Sequence, residues 1–434
     1  MRKLRWGWKQ GAVLFLAVML FIAAASWGGK DAQAAQMSKA ALNKQVLTMT
    51  PATTKKLKLN GAASGVRWSS SNKKVAVVDQ TGKITAKKKG KAKIKATSGK
   101  ETYVCQLTVA YGSYKTSDGM KYQDVKGTFA YTGRWFKKSI GGGRYPFTST
   151  DGSAFYFKVV GTKYVNISFV SNTSAGKPYF AYSVDGKAMN RQKINKGKIN
   201  VGNTKTHYVR VVVDAMSEKE NRWTGEAGVA VKSIQPVTKG GVISAVKPQN
   251  KTVAFYGDSI TQGVRALNMA LTPFGTSATH SYAWYCAEKL KYVPYFAGYG
   301  GSGIIQTGSF TNCINTIERF SAGRKAESFD ADVIVVEHGT NDVYTHGTAF
   351  LNEYKRVVTT LHKKHPKAKI MLMIPFTQIH ADSIRKVAAS HKKYCKVVET
   401  SSWKLSYTDG LHPNTSGAKK AGVNLAKKIK SAIK

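Results

Sequence analysis

Residues 252–263 read Thr252-Val253-Ala254-Phe255-Tyr256-Gly257-Asp258-Ser259-Ile260-Thr261-Gln262-Gly263, and the reading of this stretch decides the fold. Val253 to Tyr256 are apolar and β-prone, which predicts a buried strand, and Gly257 stops it. Ser259 then falls just past the carboxyl end of a strand, where open α/β sheets present their ligands. The N–H groups that follow open a helix or turn and can face a developing negative charge. Taken alone, Gly-Asp-Ser also suits any turn that ends a strand. Its meaning depends on the rest of the chain.

Downstream the sequence alternates between strand and helix. Expected strands are Val293–Ala297, Val333–Glu337, Lys369–Ile374 and Lys396–Glu399. Expected helices are Ser281–Leu290, Asn312–Ala322, Phe350–Lys363, Asp382–Ala389 and Ser416–Ile433. Such alternation implies a parallel sheet covered by helices on both faces. The last helix gathers Val423, Ala426, Ile429 and Ile433 on one side and lysines on the other, the pattern of a docking helix.

Upstream the grammar is different. Residues 1–35 carry a basic start (Arg2, Lys3, Arg5, Lys9), an apolar run from Gly11 to Ala25, and the small-residue pattern Ala32-Gln33-Ala34. They read as an export signal, too short in its apolar part for a spanning helix, so no stable membrane span is expected after its removal. Residues 37–111 and 112–245 both show short alternating strands separated by turns such as Gln80-Thr81-Gly82-Lys83 and Val184-Asp185-Gly186-Lys187. Each predicts an all-β sandwich, the second of jelly-roll type. Loops in the second carry Gly133-Arg134-Trp135 and Asn221-Arg222-Trp223, which could stack on sugars or simply pack. The stretch 238–250 reads as a linker to a last domain, 251–434.

The four cysteines (Cys105, Cys286, Cys313, Cys395) lack metal-ligand spacing and are too few for a disulfide framework, although a Cys286–Cys313 pair stays open. The formal charge is +45. No aromatic-plus-basic signature points to nucleic acid. For an exported chain such charge favours anionic polymers or surfaces, with a merely solvated surface as the alternative.

Three further stretches follow strands in the last domain. Ala297-Gly298-Tyr299-Gly300-Gly301-Ser302-Gly303 lets backbone amides approach a ligand, and no Gly-Lys-Ser/Thr ending makes it a P-loop. Gly339-Thr340-Asn341-Asp342 places an asparagine whose amide can reach an oxyanion, or which ends the strand as an Asx turn. In Asp409-Gly410-Leu411-His412-Pro413-Asn414, Asp409 can accept from one ring nitrogen of His412 and leave the other for a serine hydroxyl. The alternative is a proline-ended loop in which His412 caps a helix.

Together, in this order, the four stretches resemble the SGNH or GDSL-type hydrolases over residues 251–434. The resemblance implies a three-layer α/β domain with a flavodoxin-like parallel sheet. It also implies Ser259 as nucleophile, His412 as general base and Asp409 as the group that orients it. The Ser259 amide, a glycine amide (Gly301 by spacing, Gly300 otherwise) and the Asn341 side chain would form the oxyanion hole, and no cofactor or metal is required. Ile260 stands where the family usually has leucine, and Phe296 where it often has asparagine. Preceded by a jelly roll, the domain is similar to carbohydrate esterase family 2, whose members remove acetyl groups from plant polysaccharides. Tyr299 and Trp403 are candidates for stacking on the sugar, with packing as the equal alternative for either. Val66-Arg67-Trp68-Ser69-Ser70-Ser71-Asn72, Val75-Ala76-Val77-Val78, Gly82-Lys83-Ile84-Thr85-Ala86 and Gly90-Lys91-Ala92-Lys93-Ile94 resemble the group 2 bacterial immunoglobulin-like domain, a surface spacer or adhesive module. The expected function is a secreted acetylesterase acting on acetylated polysaccharide. An esterase on acetyl or D-alanyl esters of cell-wall polymers and a non-catalytic surface adhesin are the alternatives.

Overall fold

The computed structural model describes residues 40–433 apart from 50–53, 63–64, 88–89, 110–113, 116–129, 239, 247, 249–250 and 309. The expected export signal therefore lies outside the described residues. Three bodies follow in chain order, two all-β and one α/β.

In the first, strands Val46–Met49, Glu101–Val109, Gly90–Ser98 and Arg67–Ser70 form one sheet in that order. Thr54–Lys56, Lys83–Ala86 and Ala76–Val78 form a second. Side chains alternate across a strand, so Ala92, Ile94 and Ala96 enter a core with Trp68, Ile84 and Leu107 while Lys91, Lys93 and Lys95 face solvent.

The second body is a sandwich of two six-stranded antiparallel sheets. Trp135, Phe155, Phe157, Phe180 and Val231 fill its interior, so Trp135 packs rather than facing a sugar. Val242–Ala245 lies within the expected linker, yet it pairs with Ala154–Val160 and buries Val242 and Ile243.

The third body contains strands β1 (Thr252–Gly257), β2 (Val293–Gly298), β3 (Val333–Glu337), β4 (Lys369–Met373) and β5 (Cys395–Val398). They form one parallel sheet in the order β2-β1-β3-β4-β5. Its helices are α1 (Ser259–Gln262), α2 (Tyr282–Leu290), α3 (Cys313–Glu318), α4 (Gly347–Lys364), α5 (Ala381–Ser390) and α6 (Thr415–Ala432). Every residue of β1, β2 and β3 is buried, as a sheet covered on both faces demands. Strand order reverses between β1 and β3, and loops at the carboxyl ends of these strands frame the crevice where such sheets hold ligands.

One helix is shorter than its sequence suggests. Asn312–Ala322 was expected to be continuous, but α3 ends at Glu318 and Arg319–Ser321 pairs with Arg324–Lys325. The reason is tertiary. Arg134, from the second body, is buried and donates to the carbonyls of Thr316 (2.8 Å) and Arg319. These are carbonyls at a helix end, which need outside donors. Apolar packing also crosses this boundary, with Phe136 and Phe147 in one cluster with Tyr256 and Tyr295, and Ala154 and Val212 in another with Phe255 and Phe296. All four cysteines are buried and free.

Candidate active site

Ser259 opens α1 directly after β1. Asp258 caps the helix by accepting the Ile260 amide at 2.8 Å, and Gly263, at φ 88°, closes it in the left-handed conformation. Gly257 admits no side chain, because a Cβ there would collide with Thr261. This tight turn leaves the Ser259 side chain at the carboxyl edge of the sheet, 7% exposed.

The segment after β5 brings up the opposing groups. Asn414 caps α6 through the Gly417 amide (3.0 Å), and Tyr407 bridges Pro413, which fixes the turn between them. In that turn His412 Nε2 lies 2.9 Å from Ser259 Oγ, and His412 Nδ1 lies 2.8 Å from Asp409 Oδ2. Asp409 Oδ1 accepts the amides of His412 (2.7 Å) and Leu411 (3.1 Å), and Oδ2 also accepts from Arg265 Nη1 at 2.6 Å. Burial works to raise the Asp409 carboxyl, but the His412 amide, Arg265, the His412 ring and the Leu411 amide together hold it well below the usual carboxylate range. It is therefore an anion at neutral pH.

Asn341 follows β3. Its Nδ2 donates to Ser302 O at 2.9 Å and, more weakly, to Asp258 Oδ2 at 3.3 Å. The neighbouring Asp342 accepts three successive amides, Ile304 (2.8 Å), Ile305 (2.9 Å) and Gln306 (3.0 Å), and so fastens the glycine loop that follows β2. Within that loop the Gly300 amide is engaged by Gln262 Oε1 at 3.1 Å, whereas Gly301 adopts φ 69°, a conformation that favours glycine. His338 lies beneath, its Nε2 3.2 Å from Ser302 Oγ, and burial lowers its ring to about 4, leaving it neutral. Burial likewise drives Asp258 up to about 7 and the adjacent Glu337 well above its ordinary range. Among the described residues no group of three His, Cys, Asp or Glu side chains is placed to hold a metal ion.

The structure thus brings Ser259, His412, Asp409 and Asn341 to one edge of the sheet, with the Gly301 loop beside them. It corrects the expectation for the two aromatic residues. Tyr299 is 4% exposed, its hydroxyl lies 2.9 Å from Thr150 Oγ1, and its ring meets Trp223 edge-on. It is a contact with the preceding sandwich, not a sugar platform. Trp403, 5% exposed, packs in the cluster of Met373, Val398 and Leu425 against Phe376.

Sequence reasoning missed the groups that support the site from a distance. Arg265 is one. Another is Gln262, which donates to Asp151 of the sandwich (2.9 Å) while it holds Gly300. Asp214, buried in the sandwich, accepts from Ser277 Oγ (2.9 Å), the Thr279 amide (2.9 Å) and Thr279 Oγ1 (2.6 Å), and Arg191 donates to the carbonyls of Pro273 and Thr276. The segment between α1 and α2 is therefore pinned to the second body. Local spacing carries no signal of such contacts, although Gln262 stands in the very stretch that announces the serine.

Comparison with known proteins finds relatives of the first and last domains by sequence and of the fold by structure. Residues 255–420 match the GDSL-like Lipase/Acylhydrolase family, and residues 36–109 match the Bacterial Ig-like domain (group 2). No curated protein matches the chain. Among solved structures, a family two carbohydrate esterase from Cellvibrio japonicus is similar at 18% identity and TM-score 0.59, over 74% of this chain and 98% of its own. The family two carbohydrate esterase from Clostridium thermocellum in complex with cellohexaose gives 18% and 0.57, over 70% and 99%. The acetyl xylan esterase from the rumen bacterium Butyrivibrio proteoclasticus gives 16% and 0.58, over 74% and 99%. At such identity these likenesses establish a shared fold. The match to the GDSL-like Lipase/Acylhydrolase family makes the C-terminal domain a carboxylic ester hydrolase domain of the GDSL type.

Proposed function

Taking a GDSL-type hydrolase domain as the premise, we propose that this chain is an exported serine esterase that removes O-acetyl groups from polysaccharide through an acyl-enzyme. The observation that carries the proposal is the 2.9 Å approach of His412 Nε2 to Ser259 Oγ, with Asp409 2.8 Å from the opposite ring nitrogen.

The chemistry follows from these positions. Ser259 Oγ attacks the ester carbonyl while His412 takes its proton, and Asp409 holds the ring and stabilises the imidazolium. The Ser259 amide, the Gly301 amide and Asn341 Nδ2 receive the oxyanion, which displaces the weaker 3.3 Å contact of Asn341 with Asp258. The tetrahedral intermediate collapses as His412 gives its proton to the sugar oxygen. Water, deprotonated by His412, then attacks the acetyl-serine and releases acetate. Every step uses side chains and backbone alone.

The polysaccharide assignment rests on likeness to carbohydrate esterases. A second reading, esters of the bacterium's own wall polymers, is favoured by the charge of +45, which suits an anionic target. Hydrolysis of p-nitrophenyl acetate tests the enzyme reading. Ser259→Ala and His412→Ala are expected to lower kcat by about 10⁶, and near-parental turnover in either would overturn it. Acetate release from acetyl-xylan, acetyl-glucomannan and purified wall, measured side by side, separates the two substrates.

A further inference from the structure

We propose that the outer face of the four-stranded sheet in the immunoglobulin-like domain binds a linear phosphodiester polymer of the cell envelope, an anchor separate from the esterase site. Residues 36–109 hold sixteen Lys and Arg against two acids, Asp79 and Glu101. The sheet concentrates part of that charge. Lys91, Lys93 and Lys95 alternate along one strand, all exposed, while the intervening Ala92, Ile94 and Ala96 are buried.

The pairing register shows what shares their face. Lys91 lies opposite Thr108, Lys93 opposite Gln106 and Lys95 opposite Val104. On the other side Lys95 meets Ser69, and Arg67 meets Thr97. Val46 and Thr48, opposite Gln106 and Thr108, complete the face. It therefore holds four cations and no acid. Asp79 lies outside this sheet, and Glu101 pairs with Ser98 at the hairpin end, with the opposite orientation to the lysines. Among the described residues none of the four cations is in an ion pair.

The composition of the face indicates the ligand. Four exposed cations with no acid complement a polyanion, and the three lysines among them are compact point charges that suit single phosphate oxygens spaced along a chain. Its aromatic side chains, Trp68 and Tyr103, have the inward orientation, so no ring is offered for base stacking. Lysines two residues apart on a strand recur about every 6.8 Å, a row that an extended polymer can follow.

The test uses the full chain, poly(glycerol phosphate) as probe, and titration at about 0.15 M salt. The face variant carries Lys91→Gln, Lys93→Gln and Lys95→Gln. The comparison variant carries Lys427→Gln, Lys428→Gln and Lys430→Gln, exposed residues of α6, and loses the same charge. The face variant is expected to bind about ten- to a hundredfold more weakly with a shallower salt dependence, and the comparison variant within about threefold of the parent. Both should hydrolyse p-nitrophenyl acetate at the parental rate, which keeps this test independent of the esterase reading. Equal losses in the two variants would assign binding to diffuse charge and overturn the proposal. So would a face variant that binds like the parent, or a parent that does not bind.

Discussion

Arg265→Met removes a cation that touches the oriented carboxylate but no reacting atom. Arg265 Nη1 donates to Asp409 Oδ2 at 2.6 Å, the oxygen that also faces His412 Nδ1, and the arginine side chain is 25% exposed. A charge-assisted hydrogen bond contributes about 1.5–3 kcal/mol, and exposure of the guanidinium reduces this to about 1–2 kcal/mol. Asp409 keeps the amides of His412 and Leu411 on its other oxygen, so the carboxylate stays close to its place. The expected loss in kcat is therefore about 5- to 30-fold with KM for a small acetyl ester unchanged, against about 10²–10⁴ for Asp409→Ala. The pH dependence carries a sign. A carboxyl held below its usual range adds stability that is complete above about pH 4 and is lost as pH falls through its depressed value. Without Arg265 that value rises, so acid unfolding of the variant should begin at higher pH than in the parent. Steady-state kinetics with p-nitrophenyl acetate and thermal unfolding between about pH 3 and 6 read both effects. Arg265→Lys, which keeps the charge, should recover most of the stability. A loss in Arg265→Met as large as in Asp409→Ala, or no change in either readout, would refute this positioning role.

Three other outcomes are expected. Asn341→Ala should lower kcat for p-nitrophenyl acetate by roughly 10²–10³ with little change in KM; an unchanged kcat would remove Asn341 from the oxyanion hole. Arg134→Met takes the buried donor away from the carbonyls of Thr316 and Arg319 at the boundary between the two bodies, so urea unfolding should show a loss of about 3–5 kcal/mol, and a loss below about 1 kcal/mol would contradict it. Asp258, driven up to about 7 by burial, and Glu337, also driven well up by burial, keep protons that the unfolded chain releases above about pH 4. Stability should therefore fall as pH rises from about 4 through 7, and Glu337→Gln should flatten the decline in thermal unfolding; an unaltered slope would show that the pair does not retain its proton.

What was legible in the sequence was whatever short spacing encodes. The strand–turn–serine of residues 252–263, the three-residue step from Asp409 to His412 and the glycine loop each state their geometry within a few residues. The parallel sheet followed from alternation of apolar runs. Contacts between bodies were not legible. Tyr299 stands in a loop typical of ligand contact, yet Thr150 and Trp223 from the preceding sandwich enclose it. Asn312–Ala322 has helical composition throughout, but Arg134 claims the carbonyls near its end and the chain turns into a hairpin. Trp403 follows a strand, where an aromatic side chain can face a ligand or fill the core, and only packing against Phe376 decides. Arg265 and Asp214 belong to no motif, because each acts on a partner more than sixty residues away in the chain.

The central claim is that Ser259 carries the acyl group, and trapping that intermediate tests it most directly. The full chain is mixed with p-nitrophenyl acetate, quenched in acid within the first turnovers, digested and mapped by mass spectrometry. One acetyl group on the peptide that contains Ser259, absent from Ser259→Ala protein, is the expected result. An acetyl group on a different peptide, or parental turnover in Ser259→Ala protein with no acetyl-serine at all, would contradict the account.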